Sequence, residues 1–215
     1  ATTIDFAMVH LAMHDAVQAI EKRYEPYGHP IWGASGSRVA AAARAAHDIL
    51  VKQLPLQTVC LDARYHDYLA THGIPEDDEG VEAGRRAGAG VISKRAGDGS
   101  FPSPPPPPFI GSTDPGLWRP TPPANAPMLI PWFGDVARFT LDDDQRERLA
   151  SKEPPRLTSH RYTKDFNEVK ALGSLGSTAR TQAQTYLAYF FADNPILMWN
   201  RALRLISAER GLGIG

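Results

Sequence analysis

The sequence predicts an all-α protein, a helical bundle of about seven helices with a long proline-rich stretch in its middle. Three observations predict it. Apolar residues recur at helical spacing over most of the chain, and helix start and stop residues punctuate the periodic stretches. No segment carries the alternating apolar and polar pattern of a half-buried strand. With 215 residues, 42% of them hydrophobic, the chain can bury a core as one large domain or as one domain plus an appendage.

The first helix is expected over residues 4–22, where Phe6, Val9, Met13, Val17 and Ile20 form one row and Ile4, Met8 and Leu11 another. Residues 37–53 follow, alanine-rich from Ala40 to Ala46 and stopped by Pro55; alanine favours the helix and lets helices approach closely. A third helix over 57–71 carries Val59, Leu61, Tyr65, Tyr68 and Leu69, with Gly73 where a left-handed C-terminal cap would fall. The fourth is expected to start at Pro75, with Glu76, Asp77, Asp78 and Glu79 in its first turn, and to reach about Arg95. Its glycines (Gly80, Gly84, Gly88, Gly90) predict tight packing against a neighbour.

Residues 98–157 are set apart from the helices on either side, 1–97 and 158–215. Between Pro102 and Pro131 lie 12 of the 19 prolines, including the run Pro104 to Pro108, a density that no helix or central strand survives. Two readings stand: a flexible linker, or an ordered belt over the helices. The interleaved Phe109, Leu117, Trp118, Met128, Leu129, Ile130, Trp132 and Phe133 favour the belt, with the five-proline run itself exposed. Beyond it, Tyr162, Phe166 and Val169 predict a helix ending near Gly173. Ser177 or Thr178 is expected to cap the next, whose core face includes Ala179, Ala183, Tyr186, Leu187, Phe190 and Phe191. Asn194-Pro195 then supplies the cap and first-turn proline of a last helix with Met198, Trp199, Ala202, Leu205 and Ile206.

Composition narrows the partners. The formal charge is −1, so no overall field draws nucleic acid or anionic lipid, and no apolar run approaches the roughly 20 residues of a membrane span. Cys60 is the single cysteine, which excludes an intrachain disulfide and a cysteine-rich metal site. The sequence opens without methionine and stops just after a strongly periodic helix; both ends read as cuts, with a mature terminus at Ala1 as the alternative.

Candidate chemistry is sparse. His10 and His14 stand one turn apart beside Asp15, a spacing that can share a metal, but no glutamate completes the zinc-protease pattern. His10, His14, Gln18 and Glu21 read instead as the polar row of an amphipathic helix. Asp15 falls on the apolar row, and a buried carboxylate must find hydrogen bonds or a cation, so it reads as a structural anchor. Asp142, Asp143 and Asp144 lack the glycine and spaced carboxylates of a calcium loop and read as a solvated helix start after Thr140. Ser159-His160 has the atoms of a nucleophile and a base, yet sequence neighbours rarely face each other, and triads are assembled by the fold. Glycine-rich phosphate loops do not occur.

Several stretches in order resemble the bacterial vanadium-dependent haloperoxidase-like family, relatives of the type 2 phosphatidic acid phosphatases. They are Met8 to Val17, with His14 where relatives usually carry tyrosine; Ala40 to Leu50; Arg95 to Gly99; Gly116-Leu117-Trp118-Arg119-Pro120-Thr121-Pro122-Pro123; Tyr162 to Gly173 with its Phe166 to Ser174 core; Arg180-Thr181-Gln182 with Gln184-Thr185; and Trp199-Asn200. The resemblance spans almost the whole chain.

In that family an oxyanion is held by a lysine separated by six residues from an Arg-Pro, by a Ser-Gly-His, and by an arginine upstream of a final histidine. None of these is found here: Lys164 and Lys170 have no Arg-Pro at that distance, Arg119-Pro120 has no lysine before it, and Ser37-Arg38 lacks the histidine. The resemblance therefore implies the N-terminal, noncatalytic part of a larger enzyme, incomplete at its C-terminus and holding no cofactor alone. The parent would oxidise halide with hydrogen peroxide at a bound vanadate, or, in the phosphatase branch, cleave a phosphate ester. A third reading is a noncatalytic helical interaction module using its proline stretch as a ligand. Implied partners are the missing catalytic segment or a second copy, and a secreted or periplasmic location is favoured. Among residues present, Asp193, which ends a helix beside Phe190 and Phe191, is the candidate for supporting the oxyanion pocket from behind.

Overall fold

The computed structural model describes residues 2–150 and 153–213, and everything in them that is regular is helical. Eight α-helices occur among these residues: α1 (Thr2–Glu21), α2 (Arg38–Gln53), α3 (Thr58–Thr71), α4 (Glu79–Lys94), α5 (Asp143–Ala150), α6 (His160–Gly173), α7 (Gln182–Ala192) and α8 (Pro195–Glu209). The chain divides into two compact units, Ala1–Ser100 with Leu205–Gly215, and Phe101–Arg204.

In the first unit α1, α2 and α4 pack on one another and α3 lies on α2. The core is built of small side chains around a few large ones: Ala12, Ala16, Ala40, Ala41, Ala45, Ala83 and Ala87 are buried together with Ile4, Met8, Ile49, Leu69 and Val91. Three of the α4 glycines explain how close the helices come. A Cβ on Gly80 would lie 2.2 Å from the Ser37 carbonyl oxygen, one on Gly84 2.3 Å from that of Ala41, and one on Gly88 3.3 Å from the Asp48 Cβ. Each glycine weakens its helix by about 1 kcal/mol relative to alanine, and here the close approach of α2 makes that necessary. Gly90 is the exception, for its Cβ would meet nothing.

The helix boundaries show which local signals prevailed. Ser37 caps α2 by accepting from the Ala40 N–H, 3.2 Å away. Gly73, at φ +62°, ends α3 in the left-handed region, and the Ile74 N–H returns to the Leu69 carbonyl at 2.9 Å. α4 starts four residues later than Pro75 suggests, because Asp78 takes the cap: its Oδ1 accepts from the Gly80 N–H at 2.8 Å and also from the Ser37 N–H at 2.8 Å, so a single carboxylate ties the starts of α4 and α2.

The second unit contains α5 within 98–157, at the solvated helix start expected after Thr140, and it is the eighth helix beside the seven that periodicity predicts. Asp142 and Gln145 cap it reciprocally, Asp142 Oδ1 accepting from the Gln145 N–H at 2.7 Å and Gln145 Oε1 from the Asp142 N–H at 3.1 Å. Around the prolines the chain closes on itself: the Ser112 N–H donates to the Trp118 carbonyl at 3.0 Å, and the Phe109 and Trp118 rings lie 5.7 Å apart. Four of the five prolines in the run are exposed. The cap of α7 is Thr181, not Ser177 or Thr178, because Thr181 and Gln184 complete a capping box. Ser177 instead donates its hydroxyl to the Ala171 carbonyl at 2.6 Å, closing the end of α6. Asn194 caps α8 as expected, its Oδ1 accepting from the Ile196 N–H at 3.0 Å. None of α5, α6, α7 and α8 buries a residue.

Candidate functional site

The polar interior of the first unit starts on α1. Asp15 is only 2% exposed, and both of its oxygens are taken by backbone: Oδ1 accepts from the Tyr27 N–H and Oδ2 from the Gly28 N–H, each at 2.7 Å. One turn further on, Gln18 Oε1 accepts from the Arg23 and Tyr24 N–H groups at 3.0 and 2.9 Å, while Lys22 adopts a left-handed φ of +57° that turns the chain out of the helix. Asp15 is thus the anchor its sequence position suggests. Gln18, read from sequence as part of a polar row with His10 and His14, is a second anchor and is buried. The correction has a simple cause: the amide carbonyl satisfies two loop donors that would otherwise lose their water. His10 is exposed and stacks on Phe6, whereas His14 is half-buried with Nδ1 facing Asp15 Oδ1 at 3.1 Å.

The loop that these anchors fix helps form a cavity of about 300 Å³. It is lined by Asp15, Gly28, His29, Pro30 and Ile31 on one side and by Arg85, Arg86, Ala87, Ala89 and Gly90 of α4 on the other. Gly28 sits close against Asp15, whose Oδ2 would lie 3.0 Å from a Cβ. The two arginines differ. Arg85 is clasped by Glu82 through Nε and Nη2 at 2.7 and 2.6 Å, and that bond holds the Glu82 carboxyl below its usual value. Arg86 adds its charge to that effect on Glu82 from one turn away, and its Nη1 donates to the Trp32 carbonyl at 3.2 Å. Lys94 reaches the Tyr27 carbonyl and lies 4.3 Å over the Tyr27 ring, fixing the loop from α4.

A second polar cluster joins α2 to α3. His47 faces Asp48 Oδ1 through Nδ1 at 3.0 Å and Asp62 Oδ1 through Nε2 at 2.8 Å, and Arg44 Nε donates to Asp48 Oδ1 at 2.8 Å. Burial draws the Arg44 guanidinium down, but Asp48 outweighs it and holds the group above its ordinary value. Burial also pushes the Tyr65 phenol up, against the opposing charge of Arg44. These bonds tie α2 to α3, so the cluster acts as a clamp between helices. Sequence reading passed over it, although Arg44-Asp48 at i, i+4 was a visible signal. The cavity left a fainter trace: Gly90 and the Arg85-Arg86 pair are adjacent on one helix, but nothing local ties them to residues 28–31.

The remaining sequence candidates are occupied with structure. Ser159 Oγ accepts from the Tyr162 N–H at 3.1 Å as the cap of α6 rather than serving His160. Asp143 pairs with Arg138, and Arg38 with Glu21. Arg180 donates from Nη1 to the Leu172 and Ser174 carbonyls at 2.5 and 3.1 Å and from Nε to Thr185 Oγ1 at 3.1 Å, clasping the end of α6 to the start of α7. Asn200 donates to the Ile196 carbonyl at 2.9 Å. Asp193 is exposed in the tight α7–α8 turn, where its Oδ1 accepts from the Asn194 N–H at 2.7 Å.

Lys164 and Lys170 are exposed on α6, and Arg119 is exposed in the proline-rich segment. Among the described residues no group of three or more His, Cys, Asp or Glu side chains is placed to hold a metal, and no helix is long and apolar enough to cross a membrane. No family model, no curated protein and no solved structure matches the chain.

Proposed function

We propose that the chain is the N-terminal helical scaffold of a vanadium-dependent haloperoxidase-like enzyme, the part that supports rather than performs the chemistry. The observation that carries the scaffold role is the apolar surface on α6, α7 and α8. Phe166, Val169, Tyr186, Leu187, Phe190, Phe191, Trp199, Leu203 and Ile206 are all exposed, in helices that bury nothing themselves. Faces of this kind are kept for association. The family name comes from the ordered stretches quoted above. Several of their polar residues, Arg180, Thr181, Gln184 and Asn200, close and cap helices, which suits a supporting part.

Vanadate-dependent bromination of monochlorodimedone by the complete gene product, run beside hydrolysis of p-nitrophenyl phosphate, tests this reading. Bromination that requires vanadate is the expected result. Phosphatase activity without bromination moves the parent to the phosphatase branch, and a folded product with neither activity overturns both enzyme readings. The interaction-module reading has one observation in its favour, the exposed Pro104 to Pro108 run, which is the kind of segment that aromatic-lined grooves bind. Deleting that run abolishes partner capture in that case and leaves bromination intact in the other.

A further inference from the structure

Four glycines lie on α4, and α2 accounts for three of them. Gly90 has no such account: its Cβ would meet no atom within 4 Å, yet alanine, the better helix former, does not stand there. Gly90 lies one turn beyond Arg86, so both face the same way, and both line the cavity closed on its other side by Gly28, His29, Pro30 and Ile31. The missing side chain therefore keeps open a space that ends at a guanidinium.

That guanidinium is available. Arg85 spends two donors on Glu82 in a two-bond pair, whereas Arg86 acts on Glu82 through charge alone, and its contact to the Trp32 carbonyl uses one donor of five. Asp15, on the inner wall, has its oxygens committed to Tyr27 and Gly28. Beside the polar His29 and Arg85, the wall carries an apolar side made of Pro30, Ile31, Ala87 and Ala89, with an open floor at Gly90. A planar fork at the mouth and an apolar wall beneath it match one kind of molecule.

We infer that this cavity binds a small carboxylate with a short apolar body, its carboxylate paired with the Arg86 fork and its body lying over Gly90 against Pro30 and Ile31. Arginine suits that role because two parallel N–H donors fit the two oxygens of a carboxylate. The inference is independent of the scaffold reading.

The test is a titration of the whole chain with hexanoate, followed by backbone amide NMR. Saturable shifts are expected at Gly28, His29 and Gly90. Arg86→Gln is expected to weaken binding by about tenfold, the usual loss for a charge-assisted pair. Gly90→Leu, whose Cβ would meet no atom within 4 Å, is expected to block it by filling the floor, with an unchanged far-UV circular dichroism spectrum as the check that the variant folds. Inorganic phosphate serves as the second probe: binding as tight as that of hexanoate would mean that only charge is read, and would overturn the assigned ligand class. No saturable shift with hexanoate, or equal affinity in wild type and both variants, overturns the site itself.

Discussion

The helices α1 to α4 and the helices α6 to α8 are both built on apolar periodicity and have opposite fates. In the first, α1, α2 and α4 meet through alanine and glycine and hide Ile49, Leu69 and Val91 completely. In the second, the aromatic-rich α7 leaves Tyr186, Tyr189, Phe190 and Phe191 between 56% and 71% exposed. Periodicity says that a helix has an apolar face; it does not say that the same chain supplies the face opposite. What separates the regions is side-chain size at the contact. Small residues let backbones approach and complete a core within one unit, while rings on α7 and α8 demand a surface shaped to receive them.

The sharpest way to break the comparison is to delete one large side chain from each region. Ile49→Ala empties a fully buried position and is expected to cost about 2–5 kcal/mol in urea unfolding of the chain. Phe190→Ala removes a larger group at 56% exposure and is expected to change stability by less than about 0.5 kcal/mol. Comparable losses at the two sites would mean that α7 packs as a core element and that the contrast is wrong.

Sequence legibility follows the same division. Helix existence was readable almost throughout, because the 3.6-residue period and the caps Asn194 and Gly73 are local facts. Boundaries were misjudged where two local signals competed: Pro75 lost to Asp78, and Ser177 lost to the Thr181-Gln184 box. The glycines of α4 announced close packing but not which neighbour, and Gly90 looked like the other three. Gln18 was misplaced because its partners, the Arg23 and Tyr24 amides, become donors in need only once Lys22 turns the chain. The His47 clamp depends on Asp62, which α3 brings back across α2, and no local pattern contains that return.

The anchors on α1 offer the next test. Asp15→Asn keeps the shape but sets an amide donor against one of the two backbone donors, Tyr27 or Gly28. A buried donor left without an acceptor costs about 1–3 kcal/mol. About 2 kcal/mol is expected here, together with faster hydrogen exchange at the Tyr27 and Gly28 amides and unchanged exchange at Ile49. Uniform acceleration over the whole unit would show that the loop and the three-helix core unfold together, and would erase the distinction between a fixed core and a loop pinned to it.

The smallest effect separates a buried ion pair from the many exposed ones. Arg95 and Asp98 are almost fully buried, with Arg95 Nη2 2.5 Å from Asp98 Oδ2, and Ser100 donates to Asp98 Oδ1 from its N–H at 2.8 Å and its hydroxyl at 2.5 Å. Burial pushes the Asp98 carboxyl up, but the two Ser100 donors and Arg95 together outweigh it and hold the group below 3.8. A folded-state value below the unfolded one means stability that is fully present above 3.8 and is lost as the pH falls through the lower, folded value. Ser100→Ala removes the hydroxyl donor and is expected to cost about 1 kcal/mol near neutrality. The gap between variant and wild type should narrow as acid protonates the carboxyl, because a neutral Asp98 no longer draws a charge-assisted bond. Urea midpoints of the two proteins measured down the acid range report this directly, and parallel curves would mean that Ser100 acts on the turn rather than on the charge.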